Sequence, residues 1–580
     1  LAVAVGRLRR VAMDHTARHA ITSALLLPLL LGVSNDGVAS AFVVPVSSNL
    51  RTRQASHSCW RAAKLSQQRC RTRRHLRLFS NDPHGEASMA AESEPAVSAN
   101  IEGALETELS GKAAVEEAAE RLVPLFAEVD AHTQRTLRRV LDAFRELRVG
   151  SNMFAGVDGY GHGDIGRETL DKVYARLLGA EAALVRVQCF SGTHAIACAL
   201  FGVLRPGDTM LACSGRPYDT LDEVIGTRPP MTDEYADASD PLPEGLIGNL
   251  KEFNVSYEEV SLRSEGRFDL EAIDDAIEKD PSVKLLHVQR SCGYQWRPSL
   301  PIQEIERLCS HVKARWAERD LVIFVDNCYG EFVEDREPCH VGADLIAGSL
   351  IKNPGGTIAK SGGYVAGRKN LVRAAANRLG APGVAGGATL GQNQNLYQGL
   401  FLAPTIVGES LKGAFLLAEV FGGTFGLPTN PPPPLPRAPA VDGTVAPGGS
   451  LTARAAAAAG IARASASNKT NEARGGVGGR TDIVQALELG DRERLVKFCE
   501  AVQLFSPVNA YVRPVPGVTP GYGDEVIFAD GTFVDGSTLE LSADGPLRPP
   551  FIVFAQGCTH WTHWALIIEQ ALQDTGLVEG

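Results

Sequence analysis

Apolar and polar positions change period several times along the chain, and each change marks an element. Between Ser110 and Arg148 the residues Leu122, Val123, Leu125, Phe126, Val129, Leu137, Val140, Leu141 and Phe144 recur three and four apart, which predicts a long helix. From Gly156 onward, short apolar runs alternate with helical spacings. Ala183–Val187, Thr209–Cys213, Val283–Val288, Leu321–Val325 and Gly363–Ala366 read as strands. Thr193–Val203 reads as a helix with Ala195, Ile196, Ala199, Leu200 and Val203 on its apolar side. Such alternation predicts an α/β fold, a mixed and mostly parallel sheet between helices. Residues 427–479 break the pattern. Pro431–Pro434, Pro436, the run Ala455–Ala459 and Gly475–Gly479 carry too little apolar mass to pack, so a disordered low-complexity insertion is expected, with a proline-rich docking site as the other reading. Order resumes at Arg480 with a helix over Arg492–Leu504, strands at Glu525–Phe528 and Pro550–Phe554, and a last helix near Thr562. These make a smaller α+β domain at 480–580.

Charge divides the 580 residues unevenly. The net charge is -11, yet residues 1–80 hold 13 Lys and Arg against Asp14 and Asp36 only, leaving an acidic body of -22 that gives no reason to expect a nucleic-acid partner. Arg7, Arg9, Arg10 and Arg18 precede the apolar run Ala24–Leu31, which is too short for a permanent membrane helix. Ala39-Ser-Ala41 offers a cleavage site, and no acid occurs from Phe42 to Asn81. The stretch is similar to the two-part plastid address of algae with secondary plastids, with simple secretion as the alternative. Residues 1–80 are therefore expected to be a targeting presequence, 81–110 a disordered linker, 111–155 a helical segment and 156–426 the large domain. The cysteines show no CxxC pairs. Cys189, Cys198, Cys213 and Cys328 sit in apolar runs, so reduced, buried thiols are expected rather than disulfides or zinc, and no metal site is predicted.

Four stretches carry chemistry. Lys352 follows an apolar segment and precedes Pro354-Gly-Gly356, so a tight turn presents it from a core; desolvation is expected to lower its pKa and fit it for Schiff-base chemistry. Asp326 ends the strand Leu321–Val325, where open α/β sheets gather ligands, and can pair with a protonated ring nitrogen. Ser191-Gly-Thr193 joins a strand to a helix, and Gly192 with the helix N-terminus can hold an anion, to which Ser349 adds a hydroxyl. Tyr218 follows the strand Thr209–Cys213 and can stack on a planar ring. The order phosphate turn, aromatic, acid, lysine is that of fold type I pyridoxal-phosphate enzymes.

The stretches Gly159-Tyr-Gly-His-Gly-Asp-Ile-Gly-Arg-Glu-Thr-Leu170, Gly215-Arg-Pro-Tyr-Asp-Thr220, Gly348-Ser-Leu-Ile-Lys-Asn-Pro-Gly-Gly356, Leu396–Pro404 and Leu541-Ser-Ala-Asp-Gly-Pro-Leu-Arg548 resemble the aluminium-resistance, methionine gamma-lyase-like family of the Cys/Met-metabolism enzymes. The resemblance covers about residues 110–426 and 480–575. It implies pyridoxal 5'-phosphate as cofactor and a homodimer or homotetramer with shared sites, in which Tyr160 and Arg167 reach a neighbour's phosphate. Ile351 stands where related lyases carry Thr before the lysine, which removes one hydroxyl. Arg548 is the candidate for the carboxylate of a small amino-acid substrate.

The implied activity is elimination from a sulfur-containing amino acid. Lys352 would take the α-proton and Tyr218 protonate the leaving group. Transamination or decarboxylation on the same scaffold, and a non-catalytic cofactor-binding or metal-tolerance protein, are the rival readings.

Overall fold

The computed structural model describes residues 97–228, 245–384, 386–435 and 475–578. The presequence reading lies outside them, as does the middle of the 427–479 insertion.

A seven-stranded sheet forms the centre of the large domain. Its strands are β1 (Ala182–Arg186), β2 (Thr209–Ala212), β3 (Ser256–Glu259), β4 (Val283–Gln289), β5 (Val322–Asp326), β6 (Leu345–Ser349) and β7 (Gly363–Gly367), ordered β1-β7-β6-β5-β4-β2-β3. Neighbours from β6 to β3 run parallel, and β7 runs antiparallel to both β6 and β1. Both faces of the sheet's centre are covered, so the central strands are largely apolar on each side, while the edge strand β3 is polar. In β5, Ile323 and Val325 enter one core with α1 (Val97–Glu146), α2 (Ile165–Leu178) and α6 (Ile302–Arg315). Val322 and Phe324 enter the other, against α3 (Gly192–Val203) and α7 (Lys369–Leu379). This two-sided alternation follows from the period of two along a strand.

Helix α8 (Asn393–Leu417) runs on through a wider-wound turn at Ala418–Thr424. Its 32 residues are long and apolar enough to cross a membrane, but they are mostly buried inside the protein, packed on α1. The small domain holds a five-stranded antiparallel sheet ordered β10-β11-β12-β9-β8. Its strands are β8 (Thr429–Asn430), β9 (Gln485–Glu488), β10 (Val526–Ala529), β11 (Ser542–Pro546) and β12 (Ile552–Gln556), backed by α9 (Arg492–Leu504) and α10 (Trp561–Asp574).

Two boundaries move from the sequence reading. Helix α1 starts at Val97, inside the stretch expected to be a disordered linker. The stretch 427–479 is structured at both ends: Thr429 and Asn430 pair with Leu487 and Ala486, and Val477–Gly479 forms a helical turn. A two-residue strand has no apolar run to announce it. Among the described residues Cys189, Cys198, Cys213, Cys292, Cys309, Cys328, Cys339, Cys499 and Cys558 are free thiols, and all but Cys339 are buried.

Candidate active site

Lys352 leaves the end of β6 on the turn the sequence predicted. Asn353–Gly355 form a 3-10 turn, and Gly356 takes the left-handed φ of 52° that glycine tolerates. The turn lies directly on α8: a methyl on Gly356 would overlap the Gly399 carbonyl, and one on Gly399 would overlap the Gly355 carbonyl. From below, the Asn353 side chain donates to the carbonyls of Tyr329 and Glu331, at 3.0 Å each. The lysine turn and the loop after β5 are thus tied together.

That loop presents Asp326 and Tyr329. Asp326 is buried at the end of β5, and its Oδ1 accepts the Cys328 N–H at 3.1 Å. Tyr329 holds a left-handed φ of 69°, a costly backbone state for a non-glycine residue that places its ring beneath the lysine. Lys352 Nζ lies 4.1 Å from the ring centre. Burial raises the Asp326 pKa, and the Lys352 charge lowers it in part. For Lys352, burial lowers the pKa, but Cys328, Tyr329 and Asp326 outweigh it and hold the ammonium above the ordinary lysine range. The expected depression of the Lys352 pKa is therefore corrected: desolvation is present, and the neighbouring thiol, phenol and carboxyl groups outweigh it.

The Ser191–Thr193 turn leads from β1 into α3. Ser191 caps α3, its Oγ accepting the His194 N–H at 3.2 Å. Gly192 begins the helix where a Cβ would stand 3.1 Å from the Ser349 Cβ. Thr193 Oγ1 lies 3.0 Å from Thr220 Oγ1, which links this turn to the Tyr218 loop. Ser349 is buried, and its Oγ accepts the Ile351 N–H at 3.3 Å.

Tyr218 is fixed at its backbone, the N–H donating to Gln289 Oε1 at 2.5 Å. Its hydroxyl lies 2.8 Å from that of Tyr522, which the small domain supplies. Tyr294 packs edge-on to Tyr218, ring centres 5.3 Å apart. Burial, then the charges of Tyr522 and Asp544, push the Tyr218 hydroxyl well above the usual phenol range, so it keeps its proton. Sequence reasoning missed Tyr294, Tyr329, Tyr522 and Asp544. Asp544 stood within the quoted stretch Leu541–Arg548, while Tyr522 lies in a Gly/Pro-rich loop with no periodic signal.

The remaining candidates fall differently. Arg167 is buried, and its guanidinium donates to the carbonyls of Gly161 at 2.8 Å and Gly387 at 2.5 Å. Within the chain these two carbonyls take one N–H from each Nη, while the buried Nε has no hydrogen-bond partner among the described residues. Tyr160 is 66% exposed and stacks on His162, with nothing holding its hydroxyl among the described residues. Arg548 is exposed and ion-paired with Asp524, although its charge still lowers the Asp219 pKa against the larger effect of burial.

A family profile described as methionine gamma-lyase matches residues 111–445 and 437–576. The chain belongs to the methionine gamma-lyase family. The uncharacterized protein YnbB of Bacillus subtilis (strain 168) is 43% identical over 458 residues, 79% of this chain and 94% of that protein. The solved structure of a carbon-sulfur lyase involved in aluminum resistance from Clostridium novyi NT is 36% identical, with a TM-score of 0.66 over 82% of this chain and 99% of that one. The fold is therefore fold type I of the pyridoxal-phosphate enzymes, and pyridoxal 5'-phosphate is the cofactor expected of it.

The residues present suit that cofactor. Three hydroxyls surround the first turn of a 12-residue helix at a position that lacks a side chain, which is the chemistry of a phosphate site. A buried carboxyl and a buried-side amine share one electrostatic field, as a ring N–H and an aldehyde carbon require.

Proposed function

We propose that this protein is a pyridoxal-phosphate-dependent carbon–sulfur lyase acting on a thioether amino acid. For a β-thioether, the C–S bond breaks, one water is consumed, and a thiol, a 2-oxo acid and ammonia are released. The observation that carries the reading is the meeting of Lys352, Asp326 and the Tyr218–Tyr522 hydroxyl pair at one end of the sheet.

Ser191, Thr193 and Ser349 would hold the phosphate, Asp326 the ring N–H, and Lys352 the aldehyde carbon. When bound, the cofactor supplies the electron sink that makes the substrate α-proton acidic. Lys352 Nζ is the group placed to take that proton, once it has lost its own. The Asp326 carboxylate neutralises the positive ring edge and favours the charged ring. Tyr218 keeps its phenol proton through the working pH range and is placed to give it to the departing sulfur. Tyr522 orients that proton through the 2.8 Å contact. Exposed Tyr160 supports a site shared between copies of the chain.

The test is a product assay on the purified protein loaded with pyridoxal phosphate. Methionine, cystathionine and cysteine are offered with and without a 2-oxo acid acceptor. Release of ammonia and oxo acid without an acceptor supports elimination. Amino-group transfer that requires the acceptor would replace it with transamination.

A further inference from the structure

A single row of residues crosses the small sheet. Phe528 on β10 pairs with Asp544 on β11, Asp544 pairs with Phe554 on β12, and Phe554 pairs with Ala486 on β9. Directly paired residues share a face, so one carboxyl stands between two phenylalanine rings. That face looks toward the tyrosines. Tyr294 Oη donates to Asp544 Oδ2, and Gln556 Nε2 donates to Oδ1 at 3.1 Å. The Tyr294 ring lies 5.2 Å from Phe554, 5.3 Å from Tyr218 and 5.8 Å from Tyr522. A second route runs from Phe528 to Tyr522 at 5.6 Å. Both routes end at the Tyr218–Tyr522 hydroxyl pair.

We propose that Asp544 is a positioning residue: as a carboxylate it fixes Tyr294, and through Tyr294 it sets the Tyr218 hydroxyl toward the leaving group. The inference rests on the reading of Tyr218 as proton donor. Ionised Asp544 accepts from both Tyr294 and Gln556. A protonated Asp544 carries a proton on one oxygen, so either its bond with the Tyr294 hydroxyl reverses, turning that hydroxyl's own proton elsewhere, or the Gln556 bond weakens. Burial between the phenylalanines pushes its pKa up to about 7, with Tyr294 and Lys352 lowering it and Asp530 raising it. The other titratable groups facing it are Tyr218, Tyr522 and Tyr329, and Cys499 on α9, whose own pKa values all lie above their ordinary ranges. The arrangement therefore holds above neutral pH and loosens below it.

The experiment labels the full chain with 3-fluorotyrosine and follows the Tyr218 fluorine resonance, assigned by loss in Tyr218→Phe, from pH 5 to 9. In the wild type the resonance shifts with a midpoint near neutral pH; in Asp544→Asn it is flat, and Tyr294→Phe flattens it independently. On the loaded enzyme, Asp544→Asn loses the acid limb of the kcat/KM profile and falls about tenfold or more at pH 8. A merely structural role would lower activity equally at every pH. A midpoint that persists in Asp544→Asn, or no midpoint in the wild type, overturns the proposal. The resonance reads Tyr218 without substrate, so it stands apart from any failure of the lyase reading.

Discussion

Lys352 Nζ stands 4.1 Å over the face of the Tyr329 ring, and the residue under it pays a left-handed backbone to be there. The aromatic face stabilises the ammonium, as do the acid groups around it. Cofactor capture requires the neutral amine, so the rate at which the apoprotein takes up pyridoxal phosphate should rise steadily from pH 6 to 9. Stopped-flow absorbance measures it. Lys352→Ala should lose both the visible absorbance of the lysine-held cofactor and turnover.

Asp326→Asn keeps the shape of the strand end and removes its charge. Visible absorbance should persist, because Lys352 and the phosphate turn remain, while kcat falls roughly 10²-fold or more through loss of the preorganised charge. Comparing bound-cofactor stoichiometry with kcat separates the two effects.

Gly192→Ala places a methyl 3.1 Å from the Ser349 Cβ, between the hydroxyls proposed to hold the phosphate. The expected result is a weaker cofactor Kd with an unchanged far-ultraviolet circular dichroism spectrum. A Kd equal to the wild type would remove this turn from the phosphate site.

Arg167→Ala should act on stability. Two carbonyls, those of Gly161 and Gly387, lose their buried donor, at about 1–3 kcal/mol in urea unfolding. Arg167→Lys should recover only part of the loss, because an ammonium lacks the fork. If Arg167→Ala instead left stability intact and weakened only cofactor binding, this structural role would fail and the phosphate role would stand.

Glu331 supplies a pH dependence of the fold. Burial pushes its pKa from 4.5 up to about 8, against the Tyr364 hydroxyl that donates to it at 2.8 Å. A folded pKa above the unfolded one means the folded state holds the proton more tightly. Its contribution to stability is whole below about pH 4.5 and is lost as pH rises through 8. Glu331→Gln keeps an acceptor for Tyr364 and cannot ionise. Its Tm should exceed that of the wild type increasingly from pH 7 to 9, by differential scanning fluorimetry.

The parts of the fold that were legible in the sequence are those whose burial is complete. β4 and β5 are apolar on both faces and end in polar residues, so their ends could be placed within a residue and Asp326 put at a strand terminus. β3, Ser256–Glu259, is a polar edge strand with nothing apolar to mark it. β11, Ser542–Pro546, is buried yet built of small residues, an acid, Gly and Pro, with no apolar run to mark a strand. The same reason hid half of the site. Ser191, Gly192 and Asp326 follow or end strands that the spacing marks, while Ser349 and Lys352 stand at the end of an apolar segment that forms β6. Tyr522 meets Tyr218 across 304 residues of sequence from a glycine-rich loop, a contact that only the docking of the second domain creates.

The bare peptide junction of Gly355 and Gly356 with Gly399 fixes how errors would spread. With no side chain between them, the lysine-bearing turn and α8 are keyed like two cogs sharing a tooth. Inserting or deleting a residue in the first turns of α8 would rotate that key by about 100°. The damage would then surface as a misaimed amine rather than as an unfolded helix.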